Sequence, residues 1–296
     1  MTTTPYRSIF HPGLFAGQTV LVTGGGSGIG RCTAHELASL GARVALVGRN
    51  PDKLAAVREE IAGAVPDAAD RLSTHVCDIR DEAMVRDTIA AVLAAHGRID
   101  ALFNNAGGQF PSPLRDISLK GWEAVVRNNL TGGFLVAREC YTQWMEANGG
   151  AIVNIIADMW NGMPGMGHSG AARAGMMSFT ETAACEWAAS GVRVNAVAPG
   201  WIASSGFDTY PEAFQEKIRG LARKVPLQRY GTESEVSAAV LFLLSPAAAF
   251  ITGTTLRVDG GVPNAKHTWP QPEHRKSAPF NGFPLYEYPQ CLGGEG

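Results

Sequence analysis

Apolar residues recur along the chain in two alternating rhythms. Short β-branched runs at 19–23, 43–47, 72–77, 101–104, 151–156, 192–197 and 255–258 read as strands buried on both faces. Between most of them, at 28–40, 52–63, 82–96, 121–146 and 170–190, apolar residues fall three and four apart, the spacing of one helix face. Strands alternating with helices build a parallel sheet covered on both sides. The pattern therefore predicts an α/β, doubly wound parallel sheet of about seven strands, in a single domain over 1–262.

Two segments leave this rhythm. The stretch 201–229 interrupts it after the sixth strand and holds a short helical run at 211–223. An insertion at the carboxyl end of a parallel strand overhangs the ligand crevice, so this segment is expected to form a small lid. Thr232 and Glu235 then have the spacing of a capping box that opens the next helix. The tail, 263–296, is rich in proline and carries Trp269, Phe280, Phe283, Tyr286 and Tyr288. Disordered tails are poor in aromatics, so it is expected to lie on its own domain or on a neighbouring subunit.

Composition narrows the function classes. The 296 residues are 45% hydrophobic and 18% charged, as in ordinary globular chains. A net charge of -2 argues against a nucleic-acid coat while leaving room for a local basic phosphate pocket. No apolar run approaches the roughly 20 residues that span a bilayer, and residues 1–13 lack the apolar core of a signal peptide. Cys32, Cys77, Cys140, Cys185 and Cys291 form no CxxC pair and no metal-ligand spacing. Reduced thiols, no metal and a cytoplasmic setting are the expectation.

Directly after the first strand stands Thr23-Gly24-Gly25-Gly26-Ser27-Gly28-Ile29-Gly30. Glycines there let the backbone turn and approach a pyrophosphate, which the free N–H groups of a helix N-terminus then hold. Strand, glycine turn and helix together mark a Rossmann-type dinucleotide site, with Gly24, Ser27, Gly28, Ile29 and Gly30 in contact with the cofactor. The end of the second strand selects which dinucleotide. A carboxylate there would bond the ribose 2′-OH of NAD; the chain instead reads Val47-Gly48-Arg49-Asn50. Arg49 can clamp a 2′-phosphate, with Arg31 as an additional cation, so NADP(H) is expected.

These motifs resemble the short-chain dehydrogenase/reductase family over roughly 15–262. TGGGSGIG matches its glycine motif, Cys77-Asp78-Ile79 its adenine site and Asn104-Asn105-Ala106-Gly107 its NNAG turn. Asn129 stands at its catalytic asparagine, Asn195 to Gly200 at its NxxxPG segment, and Val258 to Gly261 at its closing strand. The resemblance implies cofactor contacts from Asp78, Ile79, Asn105, Ala106, Gly107, Pro199 and Gly200, with Ile202 close by. It also implies a homo-oligomer, most simply a tetramer, formed through helices 121–146 and 170–190.

The family's serine and YxxxK pair are missing. Ala157 stands for the serine, Ser169 for the tyrosine and Arg173 for the lysine. Arg173 can hold ribose hydroxyls but stays protonated, and Ser169 can donate a hydrogen bond without being a useful acid. Ser169, Arg173 and Asn129 are thus the candidate catalytic residues for a reaction that polarises a carbonyl without protonating its oxygen. Conjugate reduction of an enoyl thioester is such a reaction, its Cα proton coming from water, His168 or Asp158.

The string His168 to Gly175, HSGAARAG, is similar to that of the peroxisomal-type trans-2-enoyl-CoA reductases and the related 2,4-dienoyl-CoA reductases, which implies an acyl-CoA thioester substrate. Met177 and Glu181 exclude a YxxxK pair displaced by one turn. Gln109, Phe110 and Trp201 are candidate substrate contacts, and Trp160, Met163 and Met166 could line an acyl pocket. The final residues Gly293 to Gly296 are not a peroxisomal tripeptide, again suggesting cytoplasm. Two rival readings are a 3-ketoacyl or hydroxyacyl carbonyl oxidoreductase with an unusual proton relay, and a non-catalytic NADP-binding scaffold.

Overall fold

A computed structural model describes residues 6–265, 272–283 and 289–293. The predicted strands form at β1 Thr19–Thr23, β2 Arg43–Gly48, β3 Leu72–Val76, β4 Ala101–Asn104, β5 Gly150–Ile155, β6 Val192–Pro199 and β7 Thr255–Val258. They join one parallel sheet in the order β3-β2-β1-β4-β5-β6-β7. The central strand β1 is buried along its whole length, whereas the edge strands β3 and β7 are partly exposed. That difference explains why central runs are continuously apolar and edge runs include Ser73, His75 and Arg257.

The helices are α1 Gly28–Ser39, α2 Pro51–Ala64, α3 Glu82–His96, α4 Leu119–Val126, α5 Gly132–Cys140, α6 Glu146–Asn148, α7 Gly167–Glu186, α8 Glu212–Arg219 and α9 Glu233–Leu244. One face of the sheet packs Leu37, Leu54, Ile61, Val240 and Leu243 from α1, α2 and α9. The other packs Ile89, Val92, Leu135, Val136 and Ala183 from α3, α5 and α7.

The single helix predicted over 121–146 is divided by wide π turns at Arg127–Thr131 and Tyr141–Met145. Close packing accompanies the first of them: a Cβ on Gly132 would lie 2.7 Å from Ile79 Cγ1. The helix predicted over 170–190 begins at Gly167, which places His168 and Ser169 in its first turn. Between β6 and α9 the chain forms a 3-10 turn, Ser205–Thr209, then α8 and a second turn, Leu221–Lys224, separated by Gly220. The Thr232 capping box is formed, Thr232 Oγ1 accepting from Glu235 N at 3.1 Å and Glu235 Oε2 accepting from Thr232 N at 2.9 Å.

The described part of the tail lies on the same domain. Phe283 is buried against Tyr6, Thr232 Oγ1 donates to the Phe280 carbonyl at 2.5 Å, and Gly282 O accepts from Arg7 N at 2.9 Å. Trp269, Tyr286 and Tyr288 lie outside the described residues.

Candidate active site

The strand order switches between β1 and β4, successive strands being added outward on opposite sides of that pair, and a crevice opens there at the carboxyl ends of the parallel strands. A buried polar ladder underlies it. Asn104 Nδ2 donates to Asn154 Oδ1 at 3.1 Å, and Asn154 Nδ2 donates to Thr180 Oγ1 at 2.9 Å. Thr23 Oγ1 accepts from the backbone N–H of both Asn105 and Ala106 at 2.9 Å, fixing the turn after β4 against the glycine loop.

The residues fit a dinucleotide. Gly24 has φ +67°, and a Cβ on Gly30 would lie 2.3 Å from the Gly24 carbonyl oxygen, so side chains are barred where the loop folds under α1. Ser27, the N-cap of α1, makes no side-chain capping bond and leaves its hydroxyl for a phosphate. A cavity of about 260 Å³ at the end of β2 is lined by Gly24, Ser27, Arg49, Lys53, Cys77, Ile79, Ala106 and Gly107, among others. Arg49, just past the end of β2, is one of the cations in this wall.

Lys53 is a second cation that sequence reasoning missed, although its place in the first turn of α2 is the available signal. Arg31 does not line this cavity: it is buried and donates to Glu60 at 2.7 Å. Asp78 is likewise absent from the wall. Hydrogen bonds from Arg80, at 2.5 Å to 3.1 Å, occupy its carboxylate and hold its pKa down to about 2.

A second cavity, of about 660 Å³, continues the crevice past Ile29, Asn105 and Gly107 to Pro199, Gly200, Trp201 and Ile202. Arg173 reaches it from α7. Its guanidinium is buried, donates Nη1 to the Ile155 carbonyl at 2.7 Å and leaves Nε without a partner. Burial without a pairing carboxylate pulls its pKa down to about 10, so it remains charged near neutral pH. An uncompensated buried cation facing the crevice suits an anionic ligand with ribose hydroxyls.

Several candidate residues are arranged differently from the sequence reading. Asn129, in the π turn, spends its amide on one backbone unit: Oδ1 accepts from Gly108 N at 2.9 Å and Nδ2 donates to Gly108 O at 3.0 Å. Through these two bonds it shapes the loop after β4, with one hydrogen of Nδ2 left over. Ser169 is fully buried and donates its hydroxyl hydrogen to Gln109 Oε1, so Gln109, and not Ser169, forms the cavity wall. His168 is enclosed too, with Nδ1 accepting from Ser169 N at 2.9 Å and its ring edge-on to Phe110. Phe110 packs there rather than in the cavity.

Met163, Met166 and Trp201 line the larger cavity together with Ile156, Phe207, Phe214 and Leu221. Trp160 lies outside it, stacked under Arg257 at 5.5 Å. Asp158 also lines it, its pKa raised by burial and by the nearby Asp259. Tyr210, contributed by the segment between β6 and α9, also lines this cavity and accepts a hydrogen bond from Gln109 Nε2 at 3.2 Å. This phenol was not among the residues expected at the site: it lies 41 positions beyond Ser169, outside the missing YxxxK pair, and carries no motif.

Among the described residues no cluster of His, Cys, Asp or Glu could hold a metal, and no helix is long and apolar enough to cross a membrane.

The family profile described as Enoyl-(Acyl carrier protein) reductase matches residues 24–263. The chain is 36% identical over 250 residues to a probable 2,4-dienoyl-CoA reductase of Bacillus subtilis, covering 82% of this chain and 96% of the relative. It is 39% identical over 251 residues to a glucose 1-dehydrogenase of Gluconobacter oxydans, covering 84% and 92%. A solved structure of a citronellol catabolism dehydrogenase from Pseudomonas aeruginosa PAO1 is 58% identical, with a TM-score of 0.77 over 87% of this chain and 100% of that one.

Proposed function

Because the chain belongs to the short-chain dehydrogenase/reductase family, a family of nicotinamide-dependent oxidoreductases, we propose that it reduces the C=C bond of a trans-2-enoyl-CoA or related conjugated acyl thioester, using NADPH. The observation that carries this reading is the state of the three positions around the reaction. Ala157 has no hydroxyl, Ser169 is enclosed behind Gln109, and Arg173 is a fixed cation that does not shuttle a proton. This arrangement supports charge build-up on a carbonyl oxygen better than direct protonation of that oxygen.

Ser27 and the N–H groups of α1 would hold the pyrophosphate, Arg173 the nicotinamide ribose, and Arg49 with Lys53 a 2′-phosphate. The bound dinucleotide supplies hydride. Pro199, Gly200 and Ile202 shape the wall beside the reacting centre, and Met163, Met166, Trp201 and Phe214 receive the acyl chain. The 201–229 segment acts as a lid that excludes water from this cavity.

The same reading includes a cytoplasmic homotetramer. All five cysteines are free thiols, and Leu119, Trp122 and Phe134 expose an apolar strip on α4 and α5. Light scattering that returns a monomer removes that part.

Purified protein is mixed with NADPH and crotonyl-CoA, trans-2-decenoyl-CoA or a methyl-branched enoyl-CoA, and cofactor oxidation is followed. Turnover of at least one thioester, with a saturated acyl-CoA product, is expected. Absence of turnover across the series overturns the proposal. A second reading, oxidoreduction at a carbonyl or hydroxyl, is favoured by Tyr210 in the cavity wall and by the dehydrogenase names of two relatives. Turnover of a 3-ketoacyl-CoA, or of citronellol with NADP+, without enoyl reduction would select it.

A further inference from the structure

Ser169, Gln109 and Tyr210 form a hydrogen-bonded series that joins α7, the loop after β4 and the 201–229 segment. Ser169 Oγ gives its one hydrogen to Gln109 Oε1, and this fixes which face of the Gln109 amide looks into the cavity. The amide nitrogen has two hydrogens, of which one goes to the Tyr210 hydroxyl at 3.2 Å. The other has no acceptor among the described residues. Tyr210, in turn, acts as acceptor in that bond, so its own O–H hydrogen is unspent among the described residues. One amide and one phenolic hydrogen, on groups 3.2 Å apart in the cavity wall, are therefore both available to a ligand there.

We infer that Gln109 is the donor that stabilises the thioester oxygen and Tyr210 the acid that protonates Cα, with Ser169 as the positioning residue that orients Gln109. The inference rests on the enoyl-thioester reading. Hydride adds to Cβ, and the π pair of the Cα=Cβ bond shifts to make an enolate whose oxygen accepts from Gln109 Nε2. The enolate pair then takes the Tyr210 proton at Cα, closing the carbonyl again. The phenolate left behind regains a proton from water. One hydride and one proton enter the substrate, so atoms and charge balance.

Placement explains the choice of acid. Tyr210 follows the 3-10 turn Ser205–Thr209, and Phe207 and Phe214 on either side of it face the same cavity. The acid thus arrives with the segment that carries Phe207 and Phe214, beside the Gln109 donor, whereas Asp158 lines the same cavity from the loop after β5 and His168 is sealed away.

The test uses full-length wild type, Tyr210→Phe, Gln109→Leu, Ser169→Ala, Ser169→Thr and Asp158→Asn. In D2O with NADPH and crotonyl-CoA, kcat and KM are measured, and NMR reads which of the two Cα positions takes deuterium. Tyr210→Phe should lose about 100-fold or more in kcat with KM little changed, and its residual product should carry deuterium on both faces where wild type labels one. Asp158→Asn should keep the wild-type face. Ser169→Ala should lower kcat about tenfold, and Ser169→Thr, which keeps the hydroxyl, should restore it. Wild-type rate with single-face labelling in Tyr210→Phe, or their loss in Asp158→Asn alone, overturns the assignment.

A readout independent of turnover separates this inference from the reaction it rests on. Acetoacetyl-CoA bound with oxidised cofactor reports its enolate by ultraviolet absorbance. Wild type should raise the enolate fraction at least about tenfold over Gln109→Leu. If no enoyl-CoA is reduced, yet Gln109→Leu abolishes the enolate band, the reaction class falls and the Gln109 role stands. An unchanged band in Gln109→Leu overturns that role.

Discussion

The guanidinium of Arg173 lies directly against the backbone of Gly107: a Cβ added to Gly107 would meet Nη2 at 2.6 Å and Asn129 Oδ1 at 2.8 Å. The missing side chain lets a buried cation approach the crevice floor without closing it. Gly107→Ala should therefore displace Arg173 or the loop that Asn129 holds. We expect NADPH affinity to fall by roughly tenfold or more, with the fold retained, because overpacking costs about 1–3 kcal/mol. Fluorescence titration of NADPH alongside far-UV circular dichroism checks this, and unaltered affinity would count against Arg173 as the ribose clamp.

Arg49 and Lys53 line one cavity at the end of β2, with no carboxylate on that strand to oppose a phosphate. Arg49→Asp introduces that carboxylate and removes a charge-assisted clamp worth about 1.5–3 kcal/mol. The KM for NADPH should rise roughly tenfold to a hundredfold, while that for NADH stays level or falls. Parallel kinetics with the two cofactors decide it. Equal losses for both would place Arg49 outside the 2′-phosphate site.

The parts of this molecule that were legible in the sequence are those set by local chemistry. A glycine turn between β1 and α1 has few physical alternatives, and continuous apolar runs such as Val20 to Val22 need burial on both faces. The β2 terminus is local too, so Arg49 could be placed. What escaped depends on partners distant in sequence. Arg31 has the right position for a phosphate ligand, but Glu60, 29 residues away, draws it off. Ser169 aligns with a family tyrosine, yet Gln109, 60 residues earlier, takes its hydrogen. Tyr210 sits in an irregular segment with no periodicity to betray which way it faces. The π turn at Asn129 was invisible because a wide turn keeps the helical pattern of apolar residues.

Asp208 ties the 201–229 segment to the C-terminal segment. Its carboxylate accepts from Gln290 N and Cys291 N, each at 3.0 Å, and Arg219 Nε on α8 donates to the Cys291 carbonyl at 2.7 Å. Phe207, Ile218 and Cys291 form a small apolar cluster beneath these bonds. Asp208→Ala should release the segment and loosen the turn that carries Tyr210. We expect faster proteolysis within 201–229 and a KM for acyl-CoA raised severalfold, with cofactor affinity unchanged. Limited proteolysis followed by mass spectrometry would show it; wild-type cleavage rates would mean that the tail does not restrain the 201–229 segment.

Glu233 should make stability fall as pH rises through the neutral range. Its side chain is buried at the start of α9, with Oε1 3.7 Å from where a Gly28 Cβ would be. Desolvation pushes its pKa from 4.5 up to about 7, against a smaller downward pull from Arg31. The folded state then holds a proton that the unfolded chain has released, so the benefit is complete below 4.5 and lost as pH passes about 7. At roughly 1.4 kcal/mol for each pH unit, the change amounts to at most about 3.5 kcal/mol. Glu233→Gln stays neutral throughout. Its Tm should match wild type near pH 5 and exceed it by about 5 °C near pH 8. The same substitution removes a negative charge near the N-terminus of α1, where the proposed function puts the pyrophosphate, so NADPH should bind more tightly above pH 7 and no differently near pH 5. Calorimetric melts and NADPH titrations across this range measure both effects. A Tm difference that does not grow with pH would show that Glu233 is already ionised in the folded protein.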